Sequence, residues 1–264
     1  MSASPSVITG VNNAVLSITL NRPEKLNAFN AEMSDAFLQA FELAQQNNDI
    51  RAVLLSGAGR AFCAGQDLGD RDPRKRTEAP DLGQTLDTYY NPVLRLIRSL
   101  NKPVICAVNG VAAGAGANIA LACDLVLAAR SARFIQSFAK VGLIPDSGGT
   151  WTLTRLLGEA RAKALALTAE PIDAETAKQW GLIWQVVEDD SLHDSSTSLA
   201  IKLAQGPTHG LGLIKRAIQS ASTQDFDTQL DLERDFQREA GRTADYAEGV
   251  TAFLEKRAPK FSGA

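Results

Sequence analysis

Apolar Leu16, Ile18 and Leu20 alternate with polar Ser17 and Thr19, the two-residue period of a strand with one buried face, and Asn21-Arg-Pro23 ends it. The period then changes. Met33, Phe37, Ala40, Phe41 and Ala44 recur at helical spacing, which predicts an amphipathic helix over 31–47. Unbroken apolar runs follow at Ala52-Val-Leu-Leu55, Val104-Ile-Cys-Ala-Val108 and Leu125-Val-Leu-Ala128. Such runs suit strands covered on both faces, as in a parallel sheet, with helical stretches near 86–100 and 115–123 between them. A weaker strand is expected at Ile183-Trp-Gln-Val-Val187, after a helix that Asp173 can cap and Gly181 can end. The fold class is α/β.

Beyond about residue 192 the pattern is helical throughout, punctuated by Pro207 and Gly241. The expected division is a core over 1–191 and a helical region over 192–264. The stretches Leu211 to Ala221 and Thr243 to Lys256 carry apolar faces that need a partner surface, on the core or on another subunit. Asp70-Arg-Asp-Pro-Arg-Lys-Arg-Thr-Glu-Ala-Pro80 mixes charges with two prolines and reads as a mobile surface loop. Residues Pro103 to Cys123 carry no charge, but Asn109, Asn118 and the glycines between them predict a buried strand, turn and helix rather than a membrane span.

A chain of 264 residues that is 45% hydrophobic and 22% charged can bury a core without disulfides or metal. A net charge of −3 gives no basic surplus for nucleic acid. Cys63, Cys106 and Cys123 are odd in number and lack metal-ligand spacing, which fits reduced thiols and no metal site. The opening MSASPSVITG has neither a basic n-region nor an apolar h-region, so a cytoplasmic location is expected. His193 and His209 have no evident nucleophile or orienting partner and read as solvated. Gly57-Ala-Gly59 and Gly114-Ala-Gly116 begin like dinucleotide fingerprints, yet Phe62 and Ile119 stand where the third glycine belongs.

The candidate chemistry lies in Gly142-Leu-Ile-Pro-Asp-Ser-Gly-Gly-Thr150, where Asp146 is an isolated carboxylate among apolar and small residues. Such surroundings raise an acid's pKa and suit proton transfer. The lesser alternative for Asp146 is a helix N-cap. Gly65 before Gln66, and Gly114 before Ala115 at a helix start, let backbone approach a ligand and leave N–H groups free for an oxyanion, or they serve tight turns alone.

Taken in order, Asn21-Arg-Pro-Glu-Lys-Leu-Asn-Ala28, Phe62-Cys-Ala-Gly-Gln-Asp-Leu68, Lys102-Pro-Val-Ile-Cys-Ala-Val-Asn-Gly110, Cys123-Asp124 and the Asp146 loop resemble the crotonase (enoyl-CoA hydratase/isomerase) family. The resemblance covers nearly the whole chain. It implies a crotonase-like spiral of ββα units with a C-terminal helical trimerisation region, a homotrimer or hexamer, and an acyl-CoA substrate. It implies no cofactor other than the CoA carried by the substrate. Carried over by position, it puts an oxyanion hole on the backbone N–H groups of Gln66 and Ala115. Arg22 and Lys25 fall on the segment along the CoA phosphates, Ala64 and Gln66 on the adenine pocket, and Lys256 on a basic contact from the C-terminal helix.

Where hydratases of that family carry two catalytic glutamates, this chain has Asn118 and Phe138. Without them the machinery for adding water is gone. Asp146 falls on a third family position, which is an aspartate in dienoyl-CoA isomerases, and one carboxylate can take a proton from one carbon and return it at another. Asp67 is structural at its family position. Phe138, Tyr89, Tyr90 and Trp151 are candidates to line an aromatic-shaped pocket. Gly65-Gln-Asp-Leu-Gly-Asp-Arg71, Tyr90-Asn-Pro92, Gly181-Leu-Ile-Trp-Gln-Val-Val187 and Gln229-Leu-Asp-Leu-Glu-Arg-Asp-Phe236 resemble one branch of the family. That branch implies conversion of ring-1,2-epoxyphenylacetyl-CoA to oxepin-CoA, with a Δ3 to Δ2 double-bond shift in dehydroadipyl-CoA as a further reaction. The rival readings are a general Δ3,Δ2-enoyl-CoA or dienoyl-CoA isomerase and a non-catalytic, RNA-binding homologue.

Overall fold

The computed structural model describes residues 4–72, 74 and 78–264. The expected mobile loop 70–80 therefore lies partly outside the described residues. Strands β1 (Val7–Asn12) and β2 (Val15–Leu20) form an antiparallel hairpin. Its alternation buries Leu16, Ile18 and Leu20. Helix α1 (Ala31–Gln46) starts where the Asn30 side chain accepts from the Met33 N–H at 2.9 Å. Its stripe of Met33, Phe37, Ala40, Phe41 and Ala44 is buried as the spacing predicts.

Three long parallel strands follow, and each turns a corner into a short one. These pairs are β3 (Ala52–Gly57) with β4 (Ala61–Cys63), β5 (Val104–Val108) with β6 (Val111–Ala113), and β7 (Leu125–Ala129) with β8 (Arg133–Ile135). The long strands join β1, β2 and β10 (Gln185–Val187) in a six-stranded sheet of order β1-β2-β3-β5-β7-β10. The short ones make a second sheet, β4-β6-β8-β9, closed by the antiparallel β9 (Ile172–Asp173). The second sheet is absent from the sequence pattern because its members span only two or three residues, too few to display a period.

Between β4 and β5 the chain is helical from α2 (Leu82–Thr85) through a π-helical turn, Leu86–Tyr90, into α3 (Asn91–Ser99). Helix α4 (Ala115–Ala122) follows β6 and is buried nearly all round, which its uncharged sequence allows. Helix α5 (Gly149–Thr168) leads away from the Asp146 loop, and α6 (Ala174–Gln179) is capped by Asp173 and followed by Gly181 at positive φ. No helix among the described residues is long and apolar enough to cross a membrane.

The last quarter holds α7 (Leu192–Ala204), α8 (Thr208–Ala221), α9 (Phe226–Ala240) and α10 (Ala244–Leu254). Helix α7 contributes Leu192, Ala200 and Ala204 to the core. The later helices are fastened by polar bonds as well. Lys215 on α8 pairs with Asp124 at 2.8 Å, while the Asp124 carboxylate also accepts from the Val104 N–H at 2.8 Å. Arg51 donates to the Thr208 hydroxyl at 2.8 Å and to the Phe261 carbonyl at 3.1 Å. Ile214, Ile218, Phe226, Phe253 and Leu254 stay exposed, Phe253 at 81%, so the apolar surface of this region is not covered within the chain.

Candidate active site

Two loops meet where the second sheet gives way to helix. Residues 26–29 run beside 64–67: the Ala64 N–H donates to the Leu26 carbonyl at 2.9 Å, the Phe29 N–H to the Gly65 carbonyl at 2.7 Å, and the Asp67 N–H to the Phe29 carbonyl at 2.8 Å. Phe29 and Gln66 thus form a parallel bridge, in which the backbone N–H of Gln66 points away from Phe29. Gly65 has φ +91°, and a Cβ built there would sit 2.9 Å from the Ala113 carbonyl oxygen and 3.4 Å from the Ala115 nitrogen. Only glycine allows both that backbone and that approach.

The second loop is the N-terminus of α4. Gly114 is its N-cap at φ +53° with no side-chain cap, so the Ala115 N–H, in the first turn, has no intrahelical acceptor. Neither the Gln66 N–H nor the Ala115 N–H has a backbone acceptor among the described residues. Both residues line one cavity of about 290 Å³, together with Ala64, Phe138 and Asp146. Leu68, Leu82, Leu86, Val141, Leu143 and Ile144 make its walls largely apolar.

Asp146 is the one carboxylate among the residues lining this cavity. It is not a helix cap: Gly148 is the N-cap of α5, without a side-chain bond. Its backbone is held instead. The Asp146 carbonyl accepts from the Gly149 N–H at 2.8 Å and from Asn118 Nδ2 at 2.8 Å. Asn118, 1% exposed, is itself fixed by Gln136 Nε2, which donates to its Oδ1 at 2.8 Å. That leaves the Asp146 side chain with one bond among the described residues, from the Ser147 hydroxyl to Oδ1 at 2.9 Å. Burial pushes the carboxyl above its usual pKa, against the smaller opposing effects of the Ser147 hydrogen bond and the Arg71 charge.

The Gln66 side chain is also fixed. Its Nε2 donates to the Phe29 carbonyl at 3.0 Å, and its Oε1 accepts from the Tyr90 hydroxyl at 2.7 Å and from Arg71 at 3.2 Å. Tyr90 is buried at the end of the π-helical turn, a feature often found at functional sites. Tyr90 and Phe138 line the cavity. Tyr89 and Trp151 do not: Tyr89 packs against the core, and Trp151 lies between the guanidinium groups of Arg98 (4.3 Å) and Arg155 (3.9 Å).

Ala64, Gln66, Ala115 and Asp146 therefore come together, while the expected cationic contacts stand apart. Arg22 donates to the Ala28 carbonyl and pairs with Asp67 at 3.1 Å, so its guanidinium serves the loop rather than facing outward. Burial raises the Asp67 carboxyl's pKa, but the Gly69 N–H and Arg22 outweigh it and hold the group below the usual range, as suits a structural anchor. Lys25 and Lys256 are exposed and outside the cavity of this chain. Arg71 and Lys140 line it, yet neither stood out in the sequence. Arg71 sits in a run of alternating charges that reads as solvated surface, and nothing local distinguishes its position.

Residues 10–264 match the enoyl-CoA hydratase/isomerase family, and the chain belongs to it. Among its relatives, the 1,2-epoxyphenylacetyl-CoA isomerase of Escherichia coli (strain K12) is 56% identical over 257 residues, 97% of this chain and 98% of that protein. The trans-2-decenoyl-[acyl-carrier-protein] isomerase of Streptococcus mutans is 35% identical over 97% of this chain and 98% of its own length. The crystal structure of an enoyl-CoA hydratase from Bacillus anthracis superposes with a TM-score of 0.92 at 32% identity, covering 98% of this chain and 100% of that one. The crotonase-like α/β fold is thereby established.

Proposed function

We propose that the chain is an acyl-CoA isomerase that converts ring-1,2-epoxyphenylacetyl-CoA to oxepin-CoA and also moves the double bond of dehydroadipyl-CoA from Δ3 to Δ2. The observation that carries this reading is one carboxylate, Asp146, in a largely apolar cavity also lined by Gln66 and Ala115, whose N–H groups have no backbone acceptor among the described residues. Where hydratases place glutamates, Asn118 is a buried strut and Phe138 an apolar wall. The likeness to the E. coli isomerase supports the choice of substrate.

The thioester oxygen sits between the two N–H groups, which stabilise the negative charge it acquires. Asp146, ionised, takes a proton from the carbon next to the thioester, and the C–H electron pair moves onto that oxygen as an enolate. The enolate then collapses outward. In a β,γ-enoyl thioester the pair reaches the γ carbon, which takes the proton back from Asp146. With the aryl epoxide, the bond shared by the three- and six-membered rings opens to a seven-membered ring, and the proton returns to a ring carbon. No atom enters or leaves, and no cofactor beyond the substrate's CoA takes part.

Lys25, and Lys256 from a neighbouring subunit, would contact the CoA phosphates, with Ala64 and Gln66 near the adenine. Arg22 would support that segment through Asp67. The exposed apolar residues of α8 to α10 support a homotrimer or hexamer, and the protein is proposed to work in the cytoplasm. Mass spectrometry of products from a panel of CoA thioesters in ¹⁸O-water tests the reading. Isomers without ¹⁸O are expected. Rapid formation of labelled 3-hydroxyacyl-CoA would contradict it, and turnover of straight-chain enoyl thioesters but not the aryl epoxide would favour a general enoyl-CoA isomerase.

A further inference from the structure

Arg71 is a cation on the lining of a cavity whose walls are largely apolar. It lines that cavity with Leu82, Leu86, Leu143 and Ile144, and its hydrogen bond among the described residues is the one to Gln66 Oε1 at 3.2 Å. The Tyr90 hydroxyl holds the same oxygen at 2.7 Å, so one edge of the guanidinium is fixed to a buried framework. A guanidinium carries five N–H donors in a rigid fork. Asp146 shares the cavity, and the Arg71 charge acts on it, but its carboxylate's one hydrogen bond among the described residues is from Ser147.

We propose that Arg71 receives an acceptor oxygen carried by the acyl group away from its thioester, so that the site selects oxygen-bearing acyl groups over plain hydrocarbon ones. The proposal rests on reading this cavity as the acyl site. A hydrocarbon chain would strip water from the guanidinium and give its donors nothing in return, whereas a ring oxygen or a terminal carboxylate would pair with them. Discrimination of about 10–100-fold is expected, the range for a charged hydrogen bond made by one ligand and missing in the other. Lys140 also lines the cavity but is exposed at its rim, where water screens its charge.

Equilibrium binding of unreactive thioesters tests this without relying on turnover. Titration calorimetry would compare adipyl-CoA with hexanoyl-CoA, which differ in a terminal carboxylate, and 2-hydroxyphenylacetyl-CoA with phenylacetyl-CoA, which differ in a ring oxygen. The wild-type protein is expected to favour the oxygen-bearing member of at least one pair by about 10-fold or more. The pair that shows it identifies the source of the oxygen. Arg71→Met should bring that ratio close to one, and Arg71→Gln should abolish a carboxylate preference because it has no charge. No preference in the wild type, a preference that survives both substitutions, or one lost in Lys140→Met instead would overturn the assignment. If the preference follows Arg71 but no thioester is isomerised, the isomerase reading fails and the Arg71 assignment stands.

Discussion

Gly65→Ala probes the contact between the two loops of the proposed oxyanion hole. The added methyl would lie 2.9 Å from the Ala113 oxygen and 3.4 Å from the Ala115 nitrogen, on a residue whose φ is +91°. Relaxing the closer contact to an ordinary separation requires the loops to part by roughly 0.5 Å. The backbone strain adds about 1–3 kcal/mol. In a chain of this size each kcal/mol lowers the melting temperature by about 2–4 °C, so a fall of about 2–12 °C is expected. The catalytic effect should be larger in proportion: a displacement of this order between two N–H donors costs roughly 10–100-fold in turnover. Steady-state kinetics with a saturating thioester, beside thermal melts, reads both. Gly10→Ala is the control, since a Cβ on Gly10 meets nothing within 4 Å. A Gly65→Ala protein with a lowered melting temperature but turnover within about twofold of wild type would refute the argument that these loops jointly hold the thioester oxygen.

Ala115→Pro removes a proposed oxyanion donor at a position where helices accept proline, so turnover should fall by about 10²–10³ while Ala115→Ser stays near wild type; a folded proline variant with normal turnover would place the donor elsewhere. Lys215→Ala removes the partner of the Asp124 carboxylate, which is partly solvated and keeps the Val104 N–H, and should cost about 1–3 kcal/mol in denaturant unfolding. Because burial raises the Asp146 pKa and the reaction needs its carboxylate form, the acidic limb of kcat/KM should lie above the usual carboxylate range of about 4; a limb at or below that range would contradict the stated environment. The same shift has a stability consequence. A folded-state pKa above the unfolded value stabilises the fold at low pH and loses that contribution as pH rises through the folded pKa, so Asp146→Asn should match or exceed wild-type melting temperature at neutral pH and lose the advantage on acidification.

Much of the main sheet can be read from the sequence because Leu16 to Leu20 and the runs at 52, 104 and 125 are long enough to show a period or its absence. Strand β1 is not, since Val7 alone of its residues is buried and an exposed edge strand has no apolar face to display. The corner strands are hidden by their length. At the site, Asp146, Gln66 and Ala115 are legible because each stands out from its neighbours: a charge among apolar residues, and two positions following glycines. Arg71 is illegible for the converse reason, a cation in a charged run whose bond is to Gln66 Oε1, an oxygen held in turn by Tyr90 from a later segment. Arg22 shows the reverse case. Its position suits a phosphate contact, but Asp67, distant in sequence, claims its guanidinium. Helical spacing likewise cannot tell that Trp151 faces two arginines rather than the cavity.

In the proposed reaction Asp146 alone moves the proton. Asp146→Asn keeps the side chain's shape, leaves the backbone bonds to Asn118 and Gly149 intact, and removes the base. Single-turnover isomerisation of a β,γ-enoyl-CoA by this variant, with thioester affinity measured in parallel, is the direct measurement. The rate is expected to fall by at least ~10²-fold with affinity little changed. An Asn variant that isomerises at the wild-type rate would contradict it.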